Sequence, residues 1–321
     1  MKPTCLFLLS LGLFSGISTI TAATEDVHFT GTVWADGVSK SGGWYDVNKS
    51  DDYDKEVDDL MCYAASAANL IAWWQNSEHG RHLTTSAPKD INAIWETYIS
   101  SNQLPAIGGD TPSAINWWIS GVYAPTSDAE WSRYYAEKLK EEIPLTFAPV
   151  NGYYYNQYGL TSNDLSDLIF DAWLYGEWSK DGAAEIDFKS MFDSGACISL
   201  AIMSESTALA HAITLWGVEY ENGTLTKLWL TDSDDADISD DPRLFGATVK
   251  IGENGRIYLT GTENDTDDWL YYGSTDVYID SVYAINSQAS AGWQLVPEPA
   301  TATLSLLALS ALVARQRRNS C

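Results

Sequence analysis

The chain has few basic residues for its size. Lysine and arginine number 18 against 44 aspartates and glutamates, giving a formal net charge of −26 over 321 residues. Because no basic stripe exists to hold a phosphate backbone, the composition argues against nucleic-acid binding. With 45% apolar and 12% aromatic residues, the chain can still form a substantial core. We therefore expect an acidic, soluble and exported protein.

The N-terminus carries an export pattern. Lys2 precedes the apolar stretch Leu6–Ile17, and the small residues Ala22 and Ala23 follow it. This order is typical of a secretory signal peptide, which we place at residues 1–23.

The C-terminus carries a second sorting pattern at residues 296–321. Val-Pro-Glu-Pro at 296–299 precedes an uncharged stretch, Ala300–Ala314, and then three arginines. The stretch is short for a stable membrane span, but arginines would hold its end on the cytoplasmic side, so an ordinary tail anchor stays open. The segment resembles the PEP-CTERM signal, which an exosortase removes in Gram-negative bacteria. That resemblance implies an exosortase-type partner, transient membrane contact and a cell-surface or secreted destination.

Cysteine is scarce once both signals are set aside. Cys5 and Cys321 lie in the terminal segments, so residues 24–295 keep only Cys62 and Cys197. One disulfide between them is the simplest expectation for an exported chain. Against it, Cys197 lies in an apolar run typical of a buried strand, where cysteine acts as a small hydrophobic side chain.

Cys62 lies in a different setting. Asp58 and Asp59 precede it, and five alanines occupy the next ten positions. The pattern predicts a tightly buried helix, capped by the acidic pair, with Cys62 in its first turn. Free backbone N–H groups at that position would stabilise a thiolate. A purely structural thiol stays open until a base is found.

Only four histidines could supply that base: His28, His79, His82 and His211. The first is near the processed N-terminus, and the next two form an i,i+3 pair that no other ligand with metal-site spacing supports. His211 opens a strand pattern that reaches Asn222-Gly223 and resumes beyond it. Asn-Gly between two β-rich runs predicts a hairpin.

The predicted hairpin brings carboxylates to this histidine. If Asn222-Gly223 form the loop, His211 lies opposite Asp234, and Asp232 shares the same face because strand side chains alternate. Two carboxylates then come within reach of one imidazole. A solvated or calcium-binding acidic loop is the alternative, but a calcium loop from Asp232 would need glycine where Asp237 stands.

A thiol at a helix start, a later histidine and then an aspartate are the parts of a cysteine protease in papain-like order. Four segments carry a more specific resemblance: Gly43–Lys49, Asp58–Ala65 with Trp73-Trp74, His211–Gly217 and Thr231–Asp234. They resemble motifs of the IdeS/Mac family of secreted, immunoglobulin-degrading cysteine endopeptidases. The similarity extends over residues 40–290 and is faint in the middle.

The resemblance implies a role for each matching residue. Cys62 matches the nucleophile, His211 the general base and acid, Asp232 the residue that orients the imidazole, and Asp234 a second supporting carboxylate. Lys49 matches a lysine that helps to hold the oxyanion. The link between this lysine and the cysteine is longer and more acidic here than is usual in the family. For the orienting carboxylate we follow the resemblance and choose Asp232, although the simple hairpin register favours Asp234.

The remaining pattern predicts one α+β domain over residues 24–295, with a papain-like fold of helices followed by antiparallel sheet. Predicted helices are Asp90–Ser100, Thr111–Ser120, Asp128–Glu142 and Ser162–Tyr175, with caps at Thr111-Pro112 and Ser162-Asn163. Predicted strands are Cys197–Ser204, His211–Tyr220, Leu225–Asp232, Phe245–Ile251, Arg256–Thr260 and Val277–Asn286, with a second hairpin at Asn254-Gly255.

These observations lead us to expect an exported cysteine endopeptidase that needs no metal or organic cofactor. Its substrate would be a host or environmental protein, with immunoglobulin G as the candidate that the resemblance suggests. Two alternatives stay open: an acyl-transfer enzyme that uses the same triad, and a non-catalytic, tryptophan-rich surface-binding protein. A fold and a triad do not by themselves define a partner.

Overall fold

The fold is taken from a computed structural model of the chain. The structure describes residues 29–47, 49, 61–101, 108–121, 152–173, 186–205, 210–234, 242–252, 255–262 and 277–296. The proposed signal peptide, the C-terminal signal beyond residue 296 and the helix predicted at 128–142 lie outside these residues.

Helices occupy mainly the first half of the described chain. Their bounds are α1 Cys62–Asn76, α2 Ile91–Ser100, α3 Thr111–Ser120, α4 Tyr155–Tyr158, α5 Ser162–Leu168 and α6 Phe188–Asp193. A 3-10 turn follows at Ser287–Ser290. The start of α1 at Cys62 and the bounds of α2 and α3 confirm the predicted helices to within one residue.

An antiparallel sheet occupies mainly the second half. Its strands are β1 Gly31–Trp34, β2 Ile169–Trp173, β3 Ala196–Ser204, β4 Ala210–Glu221, β5 Thr224–Thr231, β6 Phe245–Ile251, β7 Ile257–Thr262 and β8 Val277–Asn286. The order β4-β3-β8-β7-β6-β5 closes on itself because β5 also pairs with β4, while β1 and β2 add to β4 and β8. The architecture is therefore α+β, with a closed antiparallel barrel.

Helix α1 lies at the centre of the molecule. It contacts α2 and α3 on one side and β3 and β4 on the other. Every residue from Tyr63 to Gln75 is buried, and the five alanines are fully so. Small side chains let the helix pack closely against these neighbours, because packed interiors leave no room for larger ones at such contacts. The predicted tight burial of this helix is confirmed.

The hairpin of β4 and β5 turns at the predicted Asn222-Gly223. Both residues have positive φ, 52° and 79°, as a two-residue hairpin turn of this kind requires. The ladder contains two bulges, one between Leu215 and Gly217 and one between Glu219 and Tyr220. They offset each other, so Thr214 pairs with Thr231, as simple counting from the turn predicts.

The structure corrects the prediction for residues 162–175. The helix ends at Leu168, and Ile169–Trp173 forms strand β2, paired with β8 from Ile285 back to Ser281. A free strand position beside β8 outweighs the local helical pattern, since pairing and packing routinely override propensity.

The helix caps also differ from those predicted. Asp110 caps α3 by accepting from Ser113 N, and Thr161 caps α5 in a capping box with Asp164. In both cases the cap is the residue before the predicted one. The N-cap of α1 is Met61, which makes no side-chain cap bond, and the acidic pair expected there lies outside the described residues.

The described part of the chain contains no helix that is long and apolar enough to cross a membrane.

The second predicted hairpin joins β6 and β7, where Ile251 pairs with Ile257. Asn254, which was predicted to help form this hairpin, lies outside the described residues.

The burial of α1 predicts the effect of enlarging one of its alanines. Ala68→Leu should lower the free energy of unfolding by about 1–3 kcal/mol, because extra methyl groups would force the helix away from its neighbours. Ala93→Leu, on the exposed face of α2, is the matched control and should change stability by less than about 0.5 kcal/mol. Urea denaturation would measure both, and equal effects would contradict the packing described.

Candidate active site

Cys62 is the first residue of α1, and its side chain is partly exposed. The backbone of Ala212, next to His211 on β4, donates a hydrogen bond to the thiol. The helix therefore presents the sulfur at its amino end, facing the start of β4.

His211 is the second residue of β4 and is buried. Its ring makes a hydrogen bond with the Cys62 side chain, and its Nε2 lies 2.6 Å from Asp232 Oδ1. Since Asp232 occupies Nε2, Nδ1 is the nitrogen left for the thiol. The thiol, the imidazole and the carboxylate are therefore joined by two successive hydrogen bonds.

The two candidate carboxylates make different contacts. Asp232 follows β5 directly and bonds the imidazole, whereas Asp234 Oδ2 is 3.8 Å from His211 Nδ1. The chain turns at 233–234, where the Asp234 backbone N–H donates to Asp232 Oδ1 at 3.0 Å. This turn takes Asp234 off the line of the strand, so Asp232 is the carboxylate that bonds the imidazole.

Lys49 joins the same cluster. Its ammonium lies 2.5 Å from Asp234 Oδ1, and its backbone N–H donates to the Ser233 carbonyl at 2.8 Å. The side chain is only 7% exposed, so its charge acts with little screening by water. All five candidate site residues are thus brought together at one end of α1 and β4.

The charges of the cluster shift its pKa values. Burial opposes ionisation of the Cys62 thiol, but the charge and hydrogen bond of His211, the charge of Lys49 and the Ala212 N–H outweigh it, so the thiol pKa is lowered. Burial alone would likewise lower the pKa of His211, but Asp232 and Cys62 raise it well above its ordinary value. Both shifts favour a thiolate–imidazolium pair.

The segment that bears Lys49 is held at several points. Thr231 Oγ1 donates to the Tyr45 carbonyl at 3.1 Å, and the Val47 N–H donates to Asn69 Oδ1, also at 3.1 Å. The Asp46 carboxylate accepts from the Arg243 N–H at 2.9 Å. These contacts fix the position from which the lysine reaches the site.

A buried polar network under the site was not predicted. Ser66 Oγ donates to Ser199 Oγ at 2.8 Å, and Asn69 Nδ2 donates to Thr214 Oγ1 at 3.1 Å. The available signal was the presence of polar residues within otherwise apolar runs, since buried polar side chains are nearly always hydrogen-bonded.

His211, Asp232 and Asp234 could also offer metal ligands, because their donor atoms lie within 4.8 Å of one another. Two of these groups already bind each other, and the Lys49 ammonium pairs with Asp234. A cation at this position would face a buried positive charge, so the donor set fits a metal poorly.

The other candidate residues, Cys197, His79 and His82, lie apart from this cluster. Cys197 and Cys62 are both free cysteines, which overturns the simple disulfide expectation. Burial raises the pKa of the Cys197 thiol well above its ordinary value. His79 and His82 lie in the turn after α1, where His82 is exposed.

Comparison with known proteins points to one family. Residues 21–100, which include Lys49 and Cys62, match the family model described as Mac 1. The chain is also 24% identical over 233 residues to the IgM protease of Streptococcus suis (strain P1/7). The match covers 67% of this chain and 20% of that protein, so the chain spans about a fifth of the length of its relative. These matches support a relationship to the Mac family.

The lowered thiol pKa predicts the reactivity of Cys62. Because a lowered pKa keeps thiolate present as pH falls, iodoacetamide should modify Cys62 well below the ordinary cysteine pKa of about 8.5. His211→Ala should move the midpoint of the rate profile upward. Peptide mapping would follow Cys197 as the internal control, and equal labelling of the two thiols would contradict the assignment.

The two carboxylates are predicted to differ in importance. Asp232→Ala should lower turnover by about 10²- to 10⁴-fold, because the imidazole loses the group that fixes its tautomer and direction. Asp234→Ala should cost about tenfold or less, since Asp234 contacts the lysine more closely than the imidazole. Single-turnover cleavage would measure both, with circular dichroism as the control for folding. A larger loss in Asp234→Ala would favour the simple hairpin register instead.

Proposed function

We propose that this protein is an exported cysteine endopeptidase of the Mac type, with Cys62, His211 and Asp232 as its triad. The observation that carries the proposal is the continuous line from thiol to imidazole to carboxylate, with 2.6 Å between the last two. The match of residues 21–100 to the Mac 1 family supports it.

The proposed reaction uses each group in turn. The Cys62 thiolate attacks the peptide carbonyl and forms a carbon–sulfur bond, and the imidazolium of His211 gives its proton to the departing amine as the carbon–nitrogen bond breaks. Water then attacks the thioester, His211 accepts a proton from it, and the carbon–sulfur bond breaks, which releases the carboxylic acid and restores the Cys62 thiolate. Asp232 keeps the imidazole aligned through both steps.

Lys49 supports the proposed reaction by charge. The ammonium lies beside Asp234 and is close enough to Cys62 to lower the thiol pKa, so its charge would also stabilise an oxyanion formed there. Burial in a dry site increases the value of such a charge, because the interaction is little screened. Asp234 acts in this scheme by holding Lys49.

The fold supports a papain-like assignment. A cysteine begins a central helix, and the histidine lies at the start of a strand of the antiparallel barrel packed against it.

We also propose export through residues 1–23 and sorting to the cell surface, or release, through residues 296–321.

Immunoglobulins are the proposed substrate class. The relative from Streptococcus suis is named an IgM protease, and the resemblance seen in the sequence suggested immunoglobulin G. Because the chain spans about a fifth of that relative, both IgM and IgG belong in the test.

The test incubates the purified protein and its Cys62→Ala variant with IgM, IgG and a mixed glycoprotein panel, with and without EDTA. We expect discrete fragments from an immunoglobulin, lost in Cys62→Ala and unchanged by EDTA; terminal sequencing would locate the cleaved bond. Products joined to an added amine would indicate acyl transfer. A Cys62 that no thiol-directed probe labels would contradict catalysis and favour a surface-binding protein.

A further inference from the structure

One side chain below the site links three of its elements. Asn69 lies on α1, seven residues after Cys62, and is 2% exposed. Its Oδ1 accepts from the Val47 N–H and its Nδ2 donates to Thr214 Oγ1, each at 3.1 Å. Both functions of the amide are therefore used, one toward the Lys49 segment and one toward the His211 strand.

The spacing places these contacts close to the functional groups. Cys62 is about 10 Å from Asn69 along a helix that rises ~1.5 Å per residue. Val47 precedes Lys49 by two residues, and Thr214 follows His211 by three, which is about 10 Å along a strand. The amide thus connects the helix of the thiol, the strand of the imidazole and the segment of the lysine.

Ser66 provides a comparison within the same network. It lies on the same face of α1, one turn nearer to Cys62, and is also buried. Its hydroxyl bonds to Ser199 Oγ, Thr214 Oγ1 and the Ile213 carbonyl. Ser66 therefore ties the helix to strands β3 and β4, whereas Asn69 also holds the segment that carries Lys49.

We propose that Asn69 is a positioning residue that sets the Lys49 ammonium against the Cys62 thiol. The proposal deepens the function proposed above and rests on it. Without the amide, the buried Val47 N–H loses its acceptor, and a shift of the segment would let that group find another partner. Lys49 lies two residues further on, so the same shift would move its ammonium away from the sulfur.

The reactivity of Cys62 gives a readout that does not depend on any substrate. The groups that face the sulfur are His211, Lys49 and the Ala212 N–H, with the two carboxylates behind them. Removing a nearby cation raises a thiol pKa and lowers the thiolate fraction at acidic pH. A displaced Lys49 should therefore resemble a deleted one.

The experiment measures iodoacetamide rates at Cys62 against pH in the full chain. We expect Lys49→Ala to lower the rate at pH 6 severalfold, because removing the cation raises the thiol pKa. Asn69→Ala should give a similar loss, and little more when combined with Lys49→Ala. Ser66→Ala, the matched control, should keep the wild-type profile. Near-equal profiles for Asn69→Ala and wild type would overturn the proposal.

A second variant covers the case in which Asn69→Ala does not fold. Asn69→Leu with Thr214→Val replaces the polar pair by apolar side chains of similar size, which cores tolerate better than one unpaired partner. The Val47 N–H still loses its acceptor, so the acidic shift should remain. If adding the Asn69 substitution to Lys49→Ala lowered the alkylation rate by its full separate effect, Asn69 would act by a route that does not involve Lys49. A wild-type Cys62 that resists alkylation at every pH would instead contradict the proposed function itself.

Discussion

The close packing of α1 against strands β3 and β4 is the constraint on which the rest of the structure depends. Ser66 and Asn69 of α1 hydrogen-bond to Ser199 of β3 and Thr214 of β4, and the first residue of the helix then reaches the second residue of β4. Larger side chains in place of the five fully buried alanines would shift the helix from its neighbours and disturb the contact between Cys62 and His211. The site is therefore a consequence of how the core is packed.

The charge of the site differs from the charge of the chain. A protein with net charge −26 brings two buried cations, His211 and Lys49, to the partly exposed Cys62 thiol. Each cation has its own carboxylate, which offsets the cost of burying it. The thiol is left as the group that gains from both, and this explains why its pKa is lowered although burial acts in the opposite direction.

Local patterns predicted those parts of the fold that depend on neighbours in sequence. The start of α1, the Asn222-Gly223 turn and the bounds of β6 and β8 follow from periodicity and turn chemistry. Strand β2 could not be predicted in this way, because Ile169–Trp173 becomes a strand through pairing with β8. The contact of Asn69 with Val47 could not be predicted either, since it joins a residue of α1 to a residue in a separate part of the chain.

The two carboxylates illustrate where counting along a strand stops being valid. Alternation places Asp232 and Asp234 on one face only while the chain stays extended, and the ladder ends at Thr231. The turn that follows is closed by a hydrogen bond from the Asp234 N–H to the Asp232 carboxylate, which also faces the imidazole. Asp234 is then directed to Lys49. Because the turn separates the two aspartates, Asp232 bonds to His211 and Asp234 pairs with Lys49.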